Sequence, residues 1–117
     1  MKVKYDCQLW NGERYVRKEV EGEVIKEAIP PFKSGELAVQ RLVDNIHPVT
    51  YHRRHFIVVH IATGASASFV ETTRKKAIQN AKIRLSKVSK HQVQIYVREA
   101  AKKLKECKPV AAELIEE

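Results

Sequence analysis

Apolar and polar positions alternate over the first ten residues of the chain. On an extended strand, residues 2–10 place four apolar side chains on one side: Val3, Tyr5, Cys7 and Leu9. This period of two is typical of a half-buried strand. Asn11-Gly12 comes next and predicts a hairpin turn, because both residues tolerate positive φ. A return strand over residues 14–20, a second turn at residues 21–23 and a short third strand over residues 24–28 are predicted to follow.

A helical period replaces this alternation in residues 34–46. Ser34 is a suitable N-cap residue, and Glu36 favours the first turn of a helix. Apolar residues then recur at helical spacing: Leu37, Ala38, Leu42, Val43 and Ile46. The sequence therefore predicts a helix over residues 34–46, preceded by an extended connection at Pro30-Pro31.

A hairpin is predicted over residues 55–70. Residues 55–61 are rich in β-branched side chains and favour a strand, whereas the polar residues 50–54 before them favour a loop. Thr63-Gly64 predicts the turn, and residues 65–70 would return antiparallel to the first strand.

Two basic helices are predicted within residues 73–107. Thr72 or Thr73 caps the first helix, whose apolar stripe comprises Ala77, Ile78, Ala81, Leu85 and Val88. Ser89 caps the second, whose shared face comprises Val93, Tyr96, Val97, Ala100 and Leu104. Pro109 ends this region, and residues 110–117 form an acidic tail, either frayed or a short final helix.

Hairpins combined with helices indicate an α+β fold in a single domain of residues 1–117. We expect an antiparallel sheet, built from hairpins and covered on one face by two to three helices. The opposite face of the sheet would then be free to bind a partner.

The chain carries a net charge of +8, and its distribution is uneven. Residues 72–108 hold twelve Lys or Arg and two acidic residues, whereas the rest holds ten basic and twelve acidic residues. All of the excess positive charge therefore lies on the predicted helices, which favours an anionic partner. Cys7 and Cys107 are too sparse for a disulfide framework, so reduced thiols in a cytoplasmic protein are expected, although one bridge between them stays open. The N-terminus lacks the apolar region of a signal peptide, and no apolar run is long enough to span a membrane.

The start of the first basic helix is the main functional signal. Arg74, Lys75 and Lys76 occupy its first turn, where the helix dipole already places positive charge. An anionic ligand such as a phosphate would offset this unfavourable arrangement. The alternative is a solvated helix end whose small cost in stability is tolerated.

Residues 52–85 resemble the C-terminal half of a double-stranded RNA-binding domain. The likeness rests on His52 four residues before Phe56, on the strand-turn-strand pattern FIVVHIATGASASFV, and on a helix start with Thr73, Arg74, Lys75, Ala77, Ala81 and Leu85. The resemblance implies that Arg74, Lys75 and also Lys76 contact phosphates across a groove. Phe69-Val70-Glu71 replaces the family's glycine-rich segment and adds a carboxylate beside that helix start.

Other residues with chemical potential have simpler alternatives. The histidines match no zinc-binding spacing, so neither a metal nor another cofactor is predicted: His47, His52, His55, His60 and His91. On the predicted strand His60 lies on the same side as Phe56 and Val58, which favours a partly buried core histidine. Trp10 and Tyr15 flank the first turn and favour a cross-strand pair.

No sequence motif of an enzyme is present, so we expect a non-enzymatic protein. The leading hypothesis is a small nucleic-acid-binding accessory protein, for DNA or RNA. Its predicted phosphate contacts are Arg53, Arg54, Arg74, Lys75, Lys76, Arg84, Lys87, Lys102 and Lys103. The second hypothesis is a protein-interaction module or inhibitor of the phage or plasmid type, which acts on an acidic protein surface. The third is a structural protein that forms a homodimer through its sheet.

Overall fold

The computed structural model describes residues 1–46 and 48–109, which form an α+β domain. The elements are β1 (Lys2–Trp10), β2 (Tyr15–Val24), β3 (Leu37–Ile46), β4 (Val49–His60), α1 (Arg74–Ser86), α2 (Lys90–Glu106) and β5 (Lys108–Pro109). The sheet has the antiparallel order β1-β2-β3-β4, and the two-residue strand β5 pairs in parallel with β2. The acidic tail predicted for residues 110–117 lies outside the described residues, as does His47.

The predicted N-terminal hairpin is confirmed. The side-chain oxygen of Asn11 accepts hydrogen bonds from the backbone N–H groups of Glu13 and Arg14 at 2.9 Å, which closes the turn. Trp10 and Tyr15 form the expected cross-strand pair, with ring centroids 5.1 Å apart in a T-shaped arrangement. Local sequence signals therefore suffice for this element.

The second turn at residues 21–23 and the separate third strand at residues 24–28 were wrong predictions. β2 continues to Val24, with Gly22 paired to Val3 inside the strand. A Cβ at Gly22 would lie 2.8 Å from the hydroxyl of Tyr5. This glycine therefore permits close packing over the strand and does not form a turn.

The helix predicted over residues 34–46 is also wrong, because residues 37–46 form β3. Leu37, Ala38 and Val39 are at most 4% exposed, so both sides of this strand are buried. A strand buried on both sides has a continuous apolar run, which periodicity cannot separate from a helix. Ser34 caps no helix there: its hydroxyl donates to the carbonyl of Lys26.

The predicted 55–70 hairpin is correct in direction but not in extent. β4 begins at Val49, so the predicted loop at residues 50–54 is part of this strand. After β4, an extended segment pairs back through the isolated antiparallel bridges Val59–Ser66 and Phe56–Glu71. Among the described residues, this segment therefore forms single bridges with β4 and not a continuous strand.

Two hydrophobic cores lie on opposite sides of β3 and β4. Successive strand residues face opposite sides, and the cross-strand pairs Val39–Val58 and Ala38–Val59 fall into different cores. The first core includes Leu37, Val39, Val58, Ala77, Ala81 and Val93. The second core includes Tyr5, Cys7, Val20, Ala38 and Val59.

The β1–β2 hairpin therefore covers part of the sheet face that we expected to be free. The Tyr5 hydroxyl donates to the side-chain oxygen of Gln40 on β3, and both residues are buried. β2 pairs with β3 only through Glu23–Val39 and Val24–Ala38, at the end of the strand. This short junction allows the two hairpins to pack against each other.

The two predicted helices are confirmed, with their N-caps. Thr73 caps α1, and Ser89 caps α2 in a capping box with Gln92. α1 contacts β3 and β4, whereas α2 contacts β1. Two residues of the predicted stripes are exposed: Tyr96 at 51% and Val88 at 43%. Neither helix in the described part of the chain is long and apolar enough to cross a membrane.

Candidate nucleic-acid interface

A large irregular bulge in β4 carries Arg53 and Arg54. Between the pairs Arg41–Phe56 and Val43–Tyr51, β3 has one residue and β4 has four, residues 52–55. Bulges commonly redirect side chains toward functional sites. Arg53 and Arg54 are both exposed here, as a contact with an external partner requires.

The histidines on either side of these arginines support the bulge. The rings of His52 and His55 lie 5.3 Å apart, nearly perpendicular to each other. Nε2 of His52 is 3.4 Å from a carboxylate oxygen of Asp44 on β3. These contacts fix the ends of the bulge and leave the arginines between them facing outward.

Two further arginines converge on the ring of Phe56, directly after the bulge. The guanidinium carbon of Arg74 lies 4.9 Å from the ring centroid, and that of Arg41 lies 5.9 Å from it. Phe56 is only 7% exposed, so its ring is a fixed platform for both cations. We call Arg41, Arg53, Arg54 and Arg74 the arginine cluster.

Backbone pairing holds the start of α1 beside this ring. The N–H of Phe56 donates to the carbonyl of Glu71 at 2.7 Å, and the N–H of Glu71 donates back at 2.9 Å. Two residues later, Thr73 begins the cap of α1, and its hydroxyl oxygen accepts from the N–H of Lys76 at 3.1 Å. Two segments fifteen residues apart in the chain thus meet at Phe56.

The charge environment of the cluster is mostly, but not entirely, positive. Nε of Arg74 is 3.6 Å from a carboxylate oxygen of Glu23, in a pair whose side chains are about half exposed. A surface pair of this kind contributes roughly 0–1 kcal/mol. The first turn of α1 contains no acidic residue. Glu71 lies three residues before Arg74 and pairs with Phe56 through its backbone.

Within the part of the chain that the structure describes, most of the predicted phosphate-binding side chains have no charge partner. Arg74 is paired with Glu23, and the guanidinium of Arg84 lies 4.0 Å from the ring centroid of Phe69. In residues 1–46 and 48–109, the remaining seven side chains have no acidic or aromatic partner: Arg53, Arg54, Lys75, Lys76, Lys87, Lys102 and Lys103. All seven belong to exposed residues, so they are accessible to an external anion.

The predicted residues do not all join the arginine cluster. Arg84 is ten residues after Arg74 on α1, which separates them by about 15 Å along the helix axis. Lys87 is the C-cap of α1, and Lys102 and Lys103 lie on α2. These four residues could contact only a ligand that extends beyond the helix start.

Sequence reasoning missed Arg41 because it lay within the wrongly predicted helix. Its role follows from its strand register, which places it opposite Phe56. The only sequence signal was a single arginine in an apolar run. Recognition of β3 as a strand paired with β4 was needed to place Arg41 near the bulge.

His60 lies in the first core, as its strand parity predicted. It is 9% exposed, and its Nδ1 is 2.9 Å from the hydroxyl oxygen of Thr63. Burial lowers the pKa of His60, although Glu36 acts in the opposite direction. The described residues contain no group of three or more His, Cys, Asp or Glu side chains arranged to hold a metal ion.

Comparison of the chain with protein-family models, with curated proteins and with solved structures finds no match.

Proposed function

We propose that this protein is a non-enzymatic, cytoplasmic accessory protein that binds the phosphate backbone of nucleic acid through the arginine cluster. The observation that carries the proposal is the convergence of Arg41 and Arg74 on Phe56, beside the bulge with Arg53 and Arg54. In this proposal the helices cover one face of the sheet, and the cluster lies where α1 begins.

The chemistry of guanidinium groups favours phosphate as the ligand. Arginine binds phosphate oxygens through two parallel hydrogen bonds, and stacking on an aromatic ring orients its planar group before binding. The N-terminus of α1 adds a favourable dipole for an anion at Lys75 and Lys76. A phosphate would compete with Glu23 for Arg74, at little cost because that ion pair is exposed.

The resemblance of residues 52–85 to a double-stranded RNA-binding domain favours a duplex as the ligand. Such domains contact backbones across a groove and respond to shape more than to sequence. Arg84, Lys87, Lys102 and Lys103 would then contact phosphates farther along the duplex. This arrangement predicts weak sequence preference and strong salt dependence.

The test is a titration of labelled duplex RNA, duplex DNA and single strands at two salt concentrations. The key variant combines Arg53→Glu with Arg54→Glu. The control combines Lys26→Glu with Lys33→Glu, two exposed cations in the connection between β2 and β3. Both variants change the net charge equally, so only the position of the charge differs.

We expect the Arg53/Arg54 variant to bind at least about tenfold more weakly than the Lys26/Lys33 control. The slope of log affinity against log salt should also fall by about two, because each lost phosphate contact removes roughly 0.9. Equal losses in the two variants would show that net charge alone drives binding and would refute the site. Absence of binding to every nucleic acid at low salt would refute the function and leave an acidic protein surface as the alternative partner.

A further inference from the structure

A second candidate site lies away from the arginine cluster, in a cavity between the two helices and the segment that follows β4. Its volume is about 270 Å³. The walls are mainly apolar, with Phe32, Leu85, Val93 and Val97 among them, and His60, Arg84 and Gln92 are the larger polar groups. A mostly apolar cavity with a few polar groups is the usual form of a small-molecule site.

His60, which lines this cavity, has one ring nitrogen without a hydrogen-bond partner among residues 1–46 and 48–109. Nδ1 of His60 lies 2.9 Å from Oγ1 of Thr63. The same oxygen accepts a hydrogen bond from the N–H of Ala65 at 3.3 Å. When the Thr63 hydroxyl donates its proton to Nδ1, the ring proton of His60 is on Nε2. Among the described residues, no group forms a hydrogen bond with Nε2. Because His60 is only 9% exposed, Nε2 in this tautomer requires an acceptor that the described residues do not supply.

Two more donors surround the same cavity. Arg84 lines the cavity, and its guanidinium lies 4.0 Å from the ring centroid of the neighbouring Phe69. The side-chain oxygen of Gln92 accepts from the N–H of Ser89 in the capping box, which leaves its amide N–H₂ as the group free to donate. Three donors, one of them cationic, therefore adjoin an apolar space and favour an anionic oxygen ligand.

The volume limits the size of the apolar part of the ligand. A cavity of roughly 150 Å³ holds benzene, and cavities for drug-sized molecules begin near 300 Å³. At about 270 Å³ the cavity suits a group of one or two fused rings. The rings of Phe32 and His60, with centroids 5.0 Å apart and tilted by 37°, offer such a group aromatic contacts.

We propose that this cavity binds a small aromatic carboxylate, whose ring system lies among the apolar walls and whose carboxylate accepts hydrogen bonds from His60 Nε2 and Arg84. The cavity lies apart from the arginine cluster, none of whose four residues lines it, and shares only Arg84 with the proposed duplex contacts. His60 acts as a neutral donor here, consistent with the lowering of its pKa by burial.

The experiment compares 2-naphthoate with 2-naphthylmethanol, a neutral probe with the same rings. Calorimetry measures the affinities, and two-bond proton–nitrogen NMR spectra follow the imidazole of His60. We expect the carboxylate to bind at least about tenfold more tightly than the alcohol and to shift the Nε2 resonance of His60. Arg84→Gln should remove most of this preference.

A blocking variant and a matched control locate the probe. Val88→Trp adds a bulky side chain at the rim of the cavity. Ile83→Trp adds the same side chain at a position of α1 that does not line the cavity. Both positions are exposed, at 43% and 45%. Val88→Trp should weaken naphthoate binding at least about tenfold, and Ile83→Trp should leave it unchanged. Equal affinity for the two probes, or a wild-type His60 resonance that does not move at millimolar naphthoate, would overturn the proposal even if a variant failed to fold.

Discussion

The loop after β4 approaches β1 so closely that one methyl group at Gly64 should destabilise the protein measurably. A Cβ at this position would lie 2.8 Å from Cα of Cys7 and 2.9 Å from the carbonyl oxygen of Asp6. Both of these are backbone atoms of β1, so no side-chain rotation can relieve the overlap. Gly64 also has φ of +71°, a left-handed conformation that penalises any Cβ.

These two effects set the expected size of the loss for Gly64→Ala. The left-handed backbone costs about 1–2 kcal/mol, and crowding in a packed region typically costs about 1–3 kcal/mol. The sum is about 2–5 kcal/mol, a large part of the roughly 5–15 kcal/mol that stabilises a typical domain. Gly35→Ala is the matched control, since Gly35 has φ of +84° but no atom within 4 Å of its Cβ position. It should lose only the conformational part, about 1–2 kcal/mol.

Urea unfolding followed by circular dichroism measures both losses. We expect similar m-values for the two variants, with a midpoint for Gly64→Ala clearly below that of Gly35→Ala. Equal midpoints would refute the close approach of the loop to β1. They would thereby also contradict the packing of the β1–β2 hairpin over β3 and β4.

Three further predictions concern single groups. Burial lowers the pKa of His60 in the folded protein, so its stabilising contribution is complete above the unfolded pKa of about 6.5. Unfolding free energy should therefore fall as pH decreases below that value, and His60→Gln should reduce this slope in urea titrations. Burial raises the pKa of the Cys7 thiol to about 11, so mass spectrometry should find maleimide on the less buried Cys107 first, and equal labelling only in urea. If the proposed function holds, Glu71→Gln should tighten duplex binding by about twofold to fivefold, measured by fluorescence anisotropy; unchanged affinity would place Glu71 away from the bound phosphates.

Short-range signals were sufficient for the N-terminal hairpin and the two helices. Asn11 closes its own turn through its side chain, and Thr73 and Ser89 cap their helices through residues three positions away. These interactions are complete within a few residues, so the sequence pattern contains all the information that they need.

Residues 34–46 show where sequence pattern alone fails. The same apolar residues fit a helix with one buried stripe or a strand buried on both sides. The second possibility requires the β1–β2 hairpin to cover Ala38 and Val59, and this contact joins parts of the chain that no local period connects. Because Arg41 lay in this segment, the error also hid a member of the candidate site.

The sequence by itself determined the basic helix start and the side of the strand on which His60 lies. Each of these features depends on residue type and on spacing within one element. Only the tertiary structure decided that Arg41 and Arg74 share the ring of Phe56, and that a buried nitrogen of His60 adjoins a cavity. The physical reason is that strand register and helix packing join distant segments, and side-chain burial depends on what covers a residue as well as on its own chemistry.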